Sequence, residues 1–160
     1  MLPKHRSRYA ATSMAEVLVV SDSAKVRADV VSAIFDPTTN VRELTRGNEV
    51  RAAVDDTTPD LVVIDLQIGK MGGMATCMDL RLEESGGRLP HVPVLLLLDR
   101  RADVFLARRA GADGWIVKPL DPLRLAKAMQ TLLDGGIYQD EAYRPLTVSP
   151  VPGRIADAVG

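Results

Sequence analysis

Four short apolar runs and one weaker strand segment, each followed by a stretch of helical periodicity, constrain the fold of this chain of 160 residues more than any other feature. None of the runs alternates polar with apolar residues, which is typical of strands buried on both faces of a parallel sheet. Strands separated by helices also favour parallel pairing, and the chain lacks the hairpin signals of an antiparallel α+β sheet. The pattern therefore predicts an α/β fold with a doubly wound, five-stranded parallel sheet and helices on both faces. The apolar runs are 17–20, 61–64, 94–98 and 115–117, and the weaker strand is 41–44.

Apolar residues spaced three and four apart predict a helix after each strand. In the first helix the predicted N-cap is Ser23. The third helix follows a glycine-rich turn, and we expect it to bury Met74, Met78 and Leu82. The last helix is predicted to begin after Asp121 as its cap and to present one apolar face. That face contains Leu125, Met129, Leu132 and Leu133. A weaker helix is predicted at 47–54, and a further helix near 102–110.

Composition places the chain among folded proteins and narrows its partners. The sequence is 46% hydrophobic and 26% charged, which excludes disorder throughout, and its net charge of −1 gives no bulk attraction to nucleic acid or anionic membrane. The single cysteine, Cys77, excludes an internal disulfide and a multi-cysteine metal site. The best apolar run, 92–98, is far shorter than the roughly 20 residues that span a bilayer. We therefore expect a cytoplasmic protein with no membrane span.

The chain divides by composition into three segments. Residues 1–14 contain three basic residues and no acidic residue, and they lack the apolar stretch of a secretory signal. Residues 15–135 contain the five strand–helix units, and residues 136–160 contain three prolines. We expect a basic N-terminal extension, one domain, and a C-terminal tail that is disordered or docks on the domain or on a partner. The tail is too short for a DNA-binding domain, and Met14 is an alternative start of the chain.

Polar residues follow the predicted strands, at the edge where open parallel sheets bind ligands. Asp22 follows the first strand, Asp65 and Gln67 follow the third, and Lys118 follows the fifth. If the first and third strands are neighbours, their backbones lie about 4.8 Å apart, and two carboxylates that close favour a bound cation. A hard divalent ion such as Mg²⁺ suits oxygen ligands, and Lys118 would pair with a phosphoryl group. Asp65 is in addition a competent nucleophile toward phosphorus.

Four strings of the sequence carry more information together than any of these residues alone. They are VLVVSDS (17–23), PDLVVIDLQIGKMGG (59–73), VPVLLLL (92–98) and GADGWIVKPL (111–120). In this order they resemble the response-regulator receiver domains of bacterial two-component signalling, over roughly residues 15–135. The resemblance implies a flavodoxin-like sheet with strand order 2-1-3-4-5. It also implies a signalling protein and no enzyme, beyond self-catalysed acceptance and hydrolysis of a phosphoryl group.

The same resemblance assigns roles to individual residues. It implies that Asp65 is the phospho-acceptor and that Lys118 contacts the phosphoryl group. It implies that Asp22, Asp65 and the main-chain carbonyl of Gln67 bind Mg²⁺. It further implies a cis peptide bond before Pro119. The implied partners are a sensor histidine kinase or a phosphotransfer protein. A protein effector is implied at the face formed by the fourth helix, fifth strand and fifth helix. The same face is also a candidate surface for a homodimer.

Several residues depart from the pattern of such receivers. Ser21 replaces the first of two adjacent acids, from which we expect weaker Mg²⁺ binding. Leu98 stands at a switch position that usually carries a hydroxyl, so it can donate no hydrogen bond to a phosphoryl group. Trp115 occupies the second switch position, which is usually Tyr or Phe, and Gly69 replaces a usual proline. Asp99 adds a carboxylate beside the site, which either replaces the lost charge or repels the phosphoryl group.

Two functions remain open at this point. The first is a single-domain response regulator switched by phosphorylation of Asp65, and the second is an adaptor of the same fold that works without phosphorylation. A metabolic enzyme is disfavoured because the first strand lacks a glycine-rich turn and both histidines, His5 and His91, lie away from the carboxylate edge. A nucleic-acid binder is disfavoured by the small number of aromatic residues. The basic residues of the fourth and fifth helices are instead a candidate docking surface: Arg100, Arg101, Arg108, Arg109, Arg124 and Lys127.

Overall fold

The structure, a computed structural model, describes residues 14–140 of the chain. Six strands form one parallel sheet in the order β2-β1-β3-β4-β5-β6. The strands are β1 (Glu16–Val20), β2 (Asn40–Leu44), β3 (Leu61–Asp65), β4 (Val94–Leu98), β5 (Gly114–Val117) and β6 (Tyr138–Gln139). The α-helices of the described part are α1 (Ala24–Ser32), α2 (Val50–Asp56), α3 (Gly73–Ser85), α4 (Val104–Ala110) and α5 (Pro122–Leu133). The predicted α/β class and 2-1-3-4-5 strand order are confirmed, and β6 is an addition to them.

The sheet has a separate hydrophobic core on each of its faces, as the non-alternating strands predicted. Successive side chains of each strand point to opposite faces, so neighbouring residues such as Leu96 and Leu97 enter different cores. One core packs against α1 and α5, and the other packs against α2, α3 and α4. Short 3₁₀ turns, Gly47–Glu49 and Arg101–Asp103, precede α2 and α4. At the carboxyl ends of the strands, polar residues such as Asp65 and Lys118 follow the buried runs.

Helix α3 turns a different face to the core than the sequence predicted. Met78 is 48% exposed and Leu82 is 63% exposed, while Met74 packs at the margin of the core. The prediction of an inward Met78 and Leu82 was therefore wrong. Polar residues occupy inward positions because local partners satisfy them: the Thr76 hydroxyl donates to a main-chain carbonyl at 3.0 Å, and Glu83 accepts from two arginines. The buried residues of the helix are Gly73, Thr76, Cys77, Leu80 and Glu83.

Both predicted helix caps are confirmed. The Ser23 hydroxyl accepts a hydrogen bond from the Val26 N–H at 3.3 Å at the start of α1. The Asp121 carboxylate accepts from the N–H groups of Leu123 and Arg124, both at 2.9 Å, at the start of α5. Each cap satisfies amides that have no partner inside the helix.

The sixth strand lies beyond the domain end expected at residue 135. Tyr138 and Gln139 pair in parallel with Gly114 and Trp115 of β5. A Cβ on Gly114 would lie 2.9 Å from the Tyr138 carbonyl oxygen, so the absence of a side chain lets the two backbones approach. The predicted extension, apart from Met14, and the tail after Asp140 lie outside the described residues.

Asp140 fixes the end of this strand to the sheet and to α5. Its carboxylate is almost fully buried and accepts from the last amide of β5, that of Val117, at 3.2 Å. The same carboxylate accepts from Arg124 Nη1 at 3.1 and 3.2 Å. The carboxylate therefore links the end of β6 to both β5 and α5.

We expect Asp140→Ala to lower the free energy of unfolding by about 1–2 kcal/mol, because a buried amide and a guanidinium lose their acceptor. Chemical denaturation measures the change, and amide hydrogen exchange at Val117 reports the opened contact. Asp134→Ala is the control, because this carboxylate is exposed and accepts only from Gln130 at 3.1 Å. Equal stability of the two variants would show that Asp140 does not hold β6.

Candidate functional site

The sheet register brings the polar strand ends together. β1 lies beside β3, so Ser21, which follows β1, lies next to Asp65 at the end of β3. β4 lies beside β5, so Asp99 lies next to Lys118 immediately after those strands. The predicted convergence of acid and lysine at the carboxyl edge of the sheet is therefore what the fold produces.

Asp65 lies at the centre of this group, and both of its carboxylate oxygens are hydrogen bonded. Only 2% of its surface is exposed. Oδ1 accepts from the Lys118 ammonium at 2.8 Å and from the Gln67 N–H at 3.3 Å. Oδ2 accepts from the Ser21 hydroxyl at 2.8 Å. Three donors thus compensate the loss of water around this buried carboxylate.

Lys118 bridges two carboxylates. Its ammonium lies 2.8 Å from Asp65 Oδ1 and 3.2 Å from Asp99 Oδ1. Partial burial alone would lower the pKa of Lys118, but the hydrogen bonds and charges of Asp65 and then Asp99 outweigh it, so this pKa is raised above its ordinary value. The lysine is therefore a fixed positive charge at neutral pH.

Ser21 takes part in the site in a way that the sequence did not indicate. The residue was predicted only as the loss of an acid, but its buried hydroxyl donates to Asp65. The hydroxyl oxygen in turn accepts from the Ser23 N–H at 3.1 Å, which fixes its orientation. The signal that could have found this contact is the strand register, since a hydroxyl beside a strand-end carboxylate is within reach of it.

The oxygen atoms of this edge suit a hard divalent cation. Asp22 is exposed, and its Oδ2 accepts from the Gly69 N–H at 3.2 Å, which turns the carboxylate toward the loop after β3. Residues 14–140 contain no group of three His, Cys, Asp or Glu side chains arranged as a metal site. Two carboxylates and the Gln67 carbonyl nevertheless match the chemistry of Mg²⁺, which prefers oxygen and keeps several waters. The donor set therefore fits this ion with few protein ligands.

The two predicted switch positions are both in the core. Leu98 is fully buried, and Trp115 is 5% exposed in the same core cluster. The Arg108 guanidinium lies 5.5 Å from the centroid of the Trp115 ring, a distance typical of a cation–π contact. Leu98 presents only methyl groups to its surroundings, so it supplies no donor for a phosphoryl oxygen.

The basic residues around α4 and α5 are partly paired within the domain. Arg100 forms an ion pair with Asp103 at 3.1 Å, and Arg124 contacts the buried carboxylate of Asp140. Two more arginines lie over aromatic rings at 5.5 Å: Arg108 over Trp115 and Arg109 over Phe105. Phe105 itself is 62% exposed. The surface predicted for docking therefore combines an exposed aromatic ring with arginines that are held in place.

Cys77 and His91 lie away from the Asp65 edge. The Cys77 thiol is buried in α3 and donates to the Ala110 carbonyl at 3.3 Å. Burial raises the pKa of this thiol to about 11, although the charge of Arg81 opposes the change. His91 precedes β4 and contacts Glu84 at 2.9 Å and Asp113 at 3.1 Å, at the opposite end of the strands.

We expect the Cys77 thiol of the folded protein to react with iodoacetamide at pH 8 at least about a hundredfold more slowly than an unperturbed thiol, because little thiolate forms and the sulfur is buried. Alkylation followed by intact mass measures this rate. The same chain in urea is the control, since Cys77 is the only cysteine in the sequence. Equally fast reaction with and without urea would contradict the buried position.

No helix among residues 14–140 combines the length and the apolar character needed to cross a bilayer. The ion pair of Asp65 and Lys118 lies at the carboxyl edge of the sheet, in which the first five strands have the order 2-1-3-4-5.

Known proteins share both this fold and this sequence pattern. The nitrate/nitrite response regulator protein NarL of Escherichia coli K12 is 29% identical over 134 residues, which cover 82% of this chain and 61% of NarL. The DNA-binding response regulator MtrA of Mycobacterium tuberculosis H37Rv is 28% identical over 142 residues, covering 88% of this chain and 59% of MtrA. The chain thus spans about three fifths of the length of these curated relatives.

Two solved structures share the fold over almost their whole length. The chemotaxis response regulator CheY4 of Vibrio cholerae superposes with a TM-score of 0.66 at 27% identity, covering 75% of this chain and 99% of CheY4. A LuxR-family two-component response regulator from Aurantimonas sp. SI85-9A1 gives a TM-score of 0.70 at 25% identity, covering 82% and 93%. The family model of the response regulator receiver domain matches residues 17–130, well over half of the sequence. The chain therefore belongs to the response-regulator receiver-domain family.

Proposed function

We propose that this receiver domain accepts a phosphoryl group on Asp65 from a sensor histidine kinase or a phosphotransfer protein. The observation that carries the proposal is the contact of 2.8 Å between the buried Asp65 carboxylate and the Lys118 ammonium. A nucleophilic carboxylate beside a fixed positive charge is what phosphoryl transfer requires, because catalysis of this reaction is mainly positioning and charge neutralisation.

In the proposed transfer, an oxygen of Asp65 forms a bond to phosphorus while the P–N bond of the donor phosphohistidine breaks. The histidine nitrogen keeps the electron pair of that bond, and an acyl phosphate remains on Asp65. Lys118 holds a positive charge next to the transferred group. Asp22, Asp65 and the Gln67 carbonyl would hold Mg²⁺, which supplies further neutralisation of the phosphoryl oxygens when bound.

The attacking oxygen has to give up a hydrogen bond that it makes in the unphosphorylated state. If Oδ2 attacks, it loses the hydroxyl of Ser21, and if Oδ1 attacks, it loses Lys118 or the Gln67 N–H. A hydrogen bond to a charged group is worth about 1.5–3 kcal/mol, so this loss raises the barrier to transfer. Slow acceptance of the phosphoryl group follows from the closed arrangement around Asp65.

Phosphorylation is proposed to move the α4–β5–α5 face less than in a receiver with a hydroxyl at position 98. A shift of a two-state equilibrium from 1:99 to 99:1 needs about 5.5 kcal/mol. Leu98 supplies none of the roughly 1.5–3 kcal/mol that a charge-assisted hydrogen bond contributes. The signal that reaches an effector on this face is therefore small.

Phosphoryl labelling tests the proposal directly. The protein is incubated with Mg²⁺ and a small phosphodonor such as acetyl phosphate, and intact mass is compared with an Asp65→Asn variant. We expect one added phosphoryl mass on the wild type, none on the variant, and none when a chelator removes Mg²⁺. An unlabelled wild type, with both the small donor and a panel of sensor kinases, would overturn the proposal.

A phosphorylation-independent adaptor is the second candidate, and two observations favour it. Both oxygens of Asp65 are already hydrogen bonded, and the switch position Leu98 is apolar. Affinity capture with wild type and with Asp65→Asn separates the two functions, because an adaptor binds its partner equally well in both forms.

In either function we propose a cytoplasmic protein that acts alone or as a homodimer and contacts its effector through the α4–β5–α5 face.

A further inference from the structure

We propose that Asp99 is a positioning residue that shares the Lys118 ammonium with Asp65, competes with an incoming phosphoryl group for that ammonium, and thereby slows phosphoryl acceptance at Asp65. The proposal rests on the function proposed above. Its basis is the shared ammonium: Lys118 Nζ lies within hydrogen-bond distance of Asp99 Oδ1 as well as Asp65 Oδ1.

The distribution of charge around Asp65 supports this role. On the β1 side of Asp65 stands the neutral hydroxyl of Ser21, where the family pattern has an acid. On the β5 side stands Asp99, which adds a carboxylate next to the only ammonium that contacts Asp65 in the described part of the chain. An acid is thus missing at position 21, where it would bind a cation, and an acid is present at position 99, where it binds Lys118.

This position matters because of what happens to charge during transfer. Lys118 is the side chain beside Asp65 that can neutralise negative charge on the phosphoryl oxygens, since Leu98 offers no donor. A carboxylate on the same ammonium satisfies part of its hydrogen-bonding capacity and repels an anionic donor. Asp99 lies at the surface end of the group, with its side chain 36% exposed, so solvent screens the effect without removing it.

The test measures the rate at which acetyl phosphate labels Asp65 in wild type, Asp99→Asn and Asp99→Glu. We expect Asp99→Asn to be labelled about tenfold faster, equivalent to about 1.4 kcal/mol in the barrier, and Asp99→Glu to remain as slow as wild type. The control is Asp55→Asn, which removes the charge of an exposed carboxylate on α2, away from the site. An Asp99→Asn rate equal to that of Asp55→Asn, or slower than wild type, would overturn the proposal.

A second readout does not depend on phosphorylation. The pKa of Lys118, followed by NMR of its ε-methylene group, is expected to fall in Asp99→Asn and to stay raised in Asp99→Glu, because the carboxylate contact is lost only in the first. An unchanged pKa in Asp99→Asn overturns the positioning role even if labelling accelerates. If the pKa falls but neither protein is labelled on Asp65, the ion pair stands and the proposed phosphoryl acceptance fails, and with it the effect assigned to Asp99.

Discussion

Replacement of Gly73 by alanine is expected to lower the free energy of unfolding by about 3 kcal/mol, at the upper end for an overpacked site. Gly73 begins α3 and packs against the main chain at the end of β3. A Cβ on this residue would lie 2.5 Å from the Asp65 carbonyl oxygen and 2.7 Å from the Leu66 Cα. Backbone atoms have no alternative rotamer, so the strand end that carries Asp65 has to move.

The neighbouring Gly72 provides a matched control. A Cβ on Gly72 would meet nothing within 4 Å, and its φ of −60° is ordinary for any residue. We expect Gly72→Ala to change stability by less than about 1 kcal/mol, because lost capping and reduced freedom of the unfolded chain oppose each other. Urea denaturation followed by Trp115 fluorescence measures both variants, since the sequence contains one tryptophan.

The Gly73→Ala variant should also lose phosphoryl labelling at Asp65, because the carboxylate shifts away from Lys118. An alanine at position 73 that leaves both stability and labelling at the Gly72→Ala level would contradict the close packing of α3 on the site.

Leu98→Thr is expected to have the second large effect, with a loss of about 2–4 kcal/mol in the free energy of unfolding. The side chain is fully buried in the core that contains Trp115, so the variant removes packed methyl groups and buries a hydroxyl. The same hydroxyl lies at the strand end nearest the site and would supply the donor that Leu98 lacks. We therefore expect a less stable protein in which phosphorylation changes partner affinity more.

Leu98→Val separates these two effects, because valine has the shape of threonine without the hydroxyl. We expect Leu98→Val to lose only about 1 kcal/mol and to leave the response to phosphorylation as in the wild type. Partner affinity with and without acetyl phosphate is measured for both variants. A threonine variant that responds no more than the valine variant would show that the missing hydroxyl is not what limits the switch.

Much of the fold was predictable because continuous apolar runs have few alternatives to a buried parallel sheet. The buried face of helix α3 was not predictable, because Met78 and Leu82 have helical spacing just as Cys77 and Leu80 do. Cys77 and Leu80 enter the core beside α4, and Glu83 on the same face is paired with Arg51 and Arg88. Sequence spacing carries no information about these contacts. The strand β6 was missed because two residues are too short to form a pattern.

At the site, the approach of Asp65 and Lys118 was predictable from strand ends and the family pattern. The roles of Ser21 and Asp99 were not. Both were recognised as departures, but a hydrogen bond from Ser21 to Asp65 and an ion pair between Asp99 and Lys118 depend on side-chain directions set by the sheet register. In the structure, these two departures from the family pattern are specific contacts with the acceptor and its lysine.

Sheets grow by adding strands along an open edge, and β6 limits that growth on the β5 side. Two residues offer an incoming strand very little backbone to pair with, and Asp140 already occupies the amide of Val117 at the end of β5. A second chain could extend the sheet at β5 only after peeling β6 away. Among residues 14–140, the side chains of α4 and α5 are therefore what this side of the molecule offers to a partner, while β6 limits main-chain pairing.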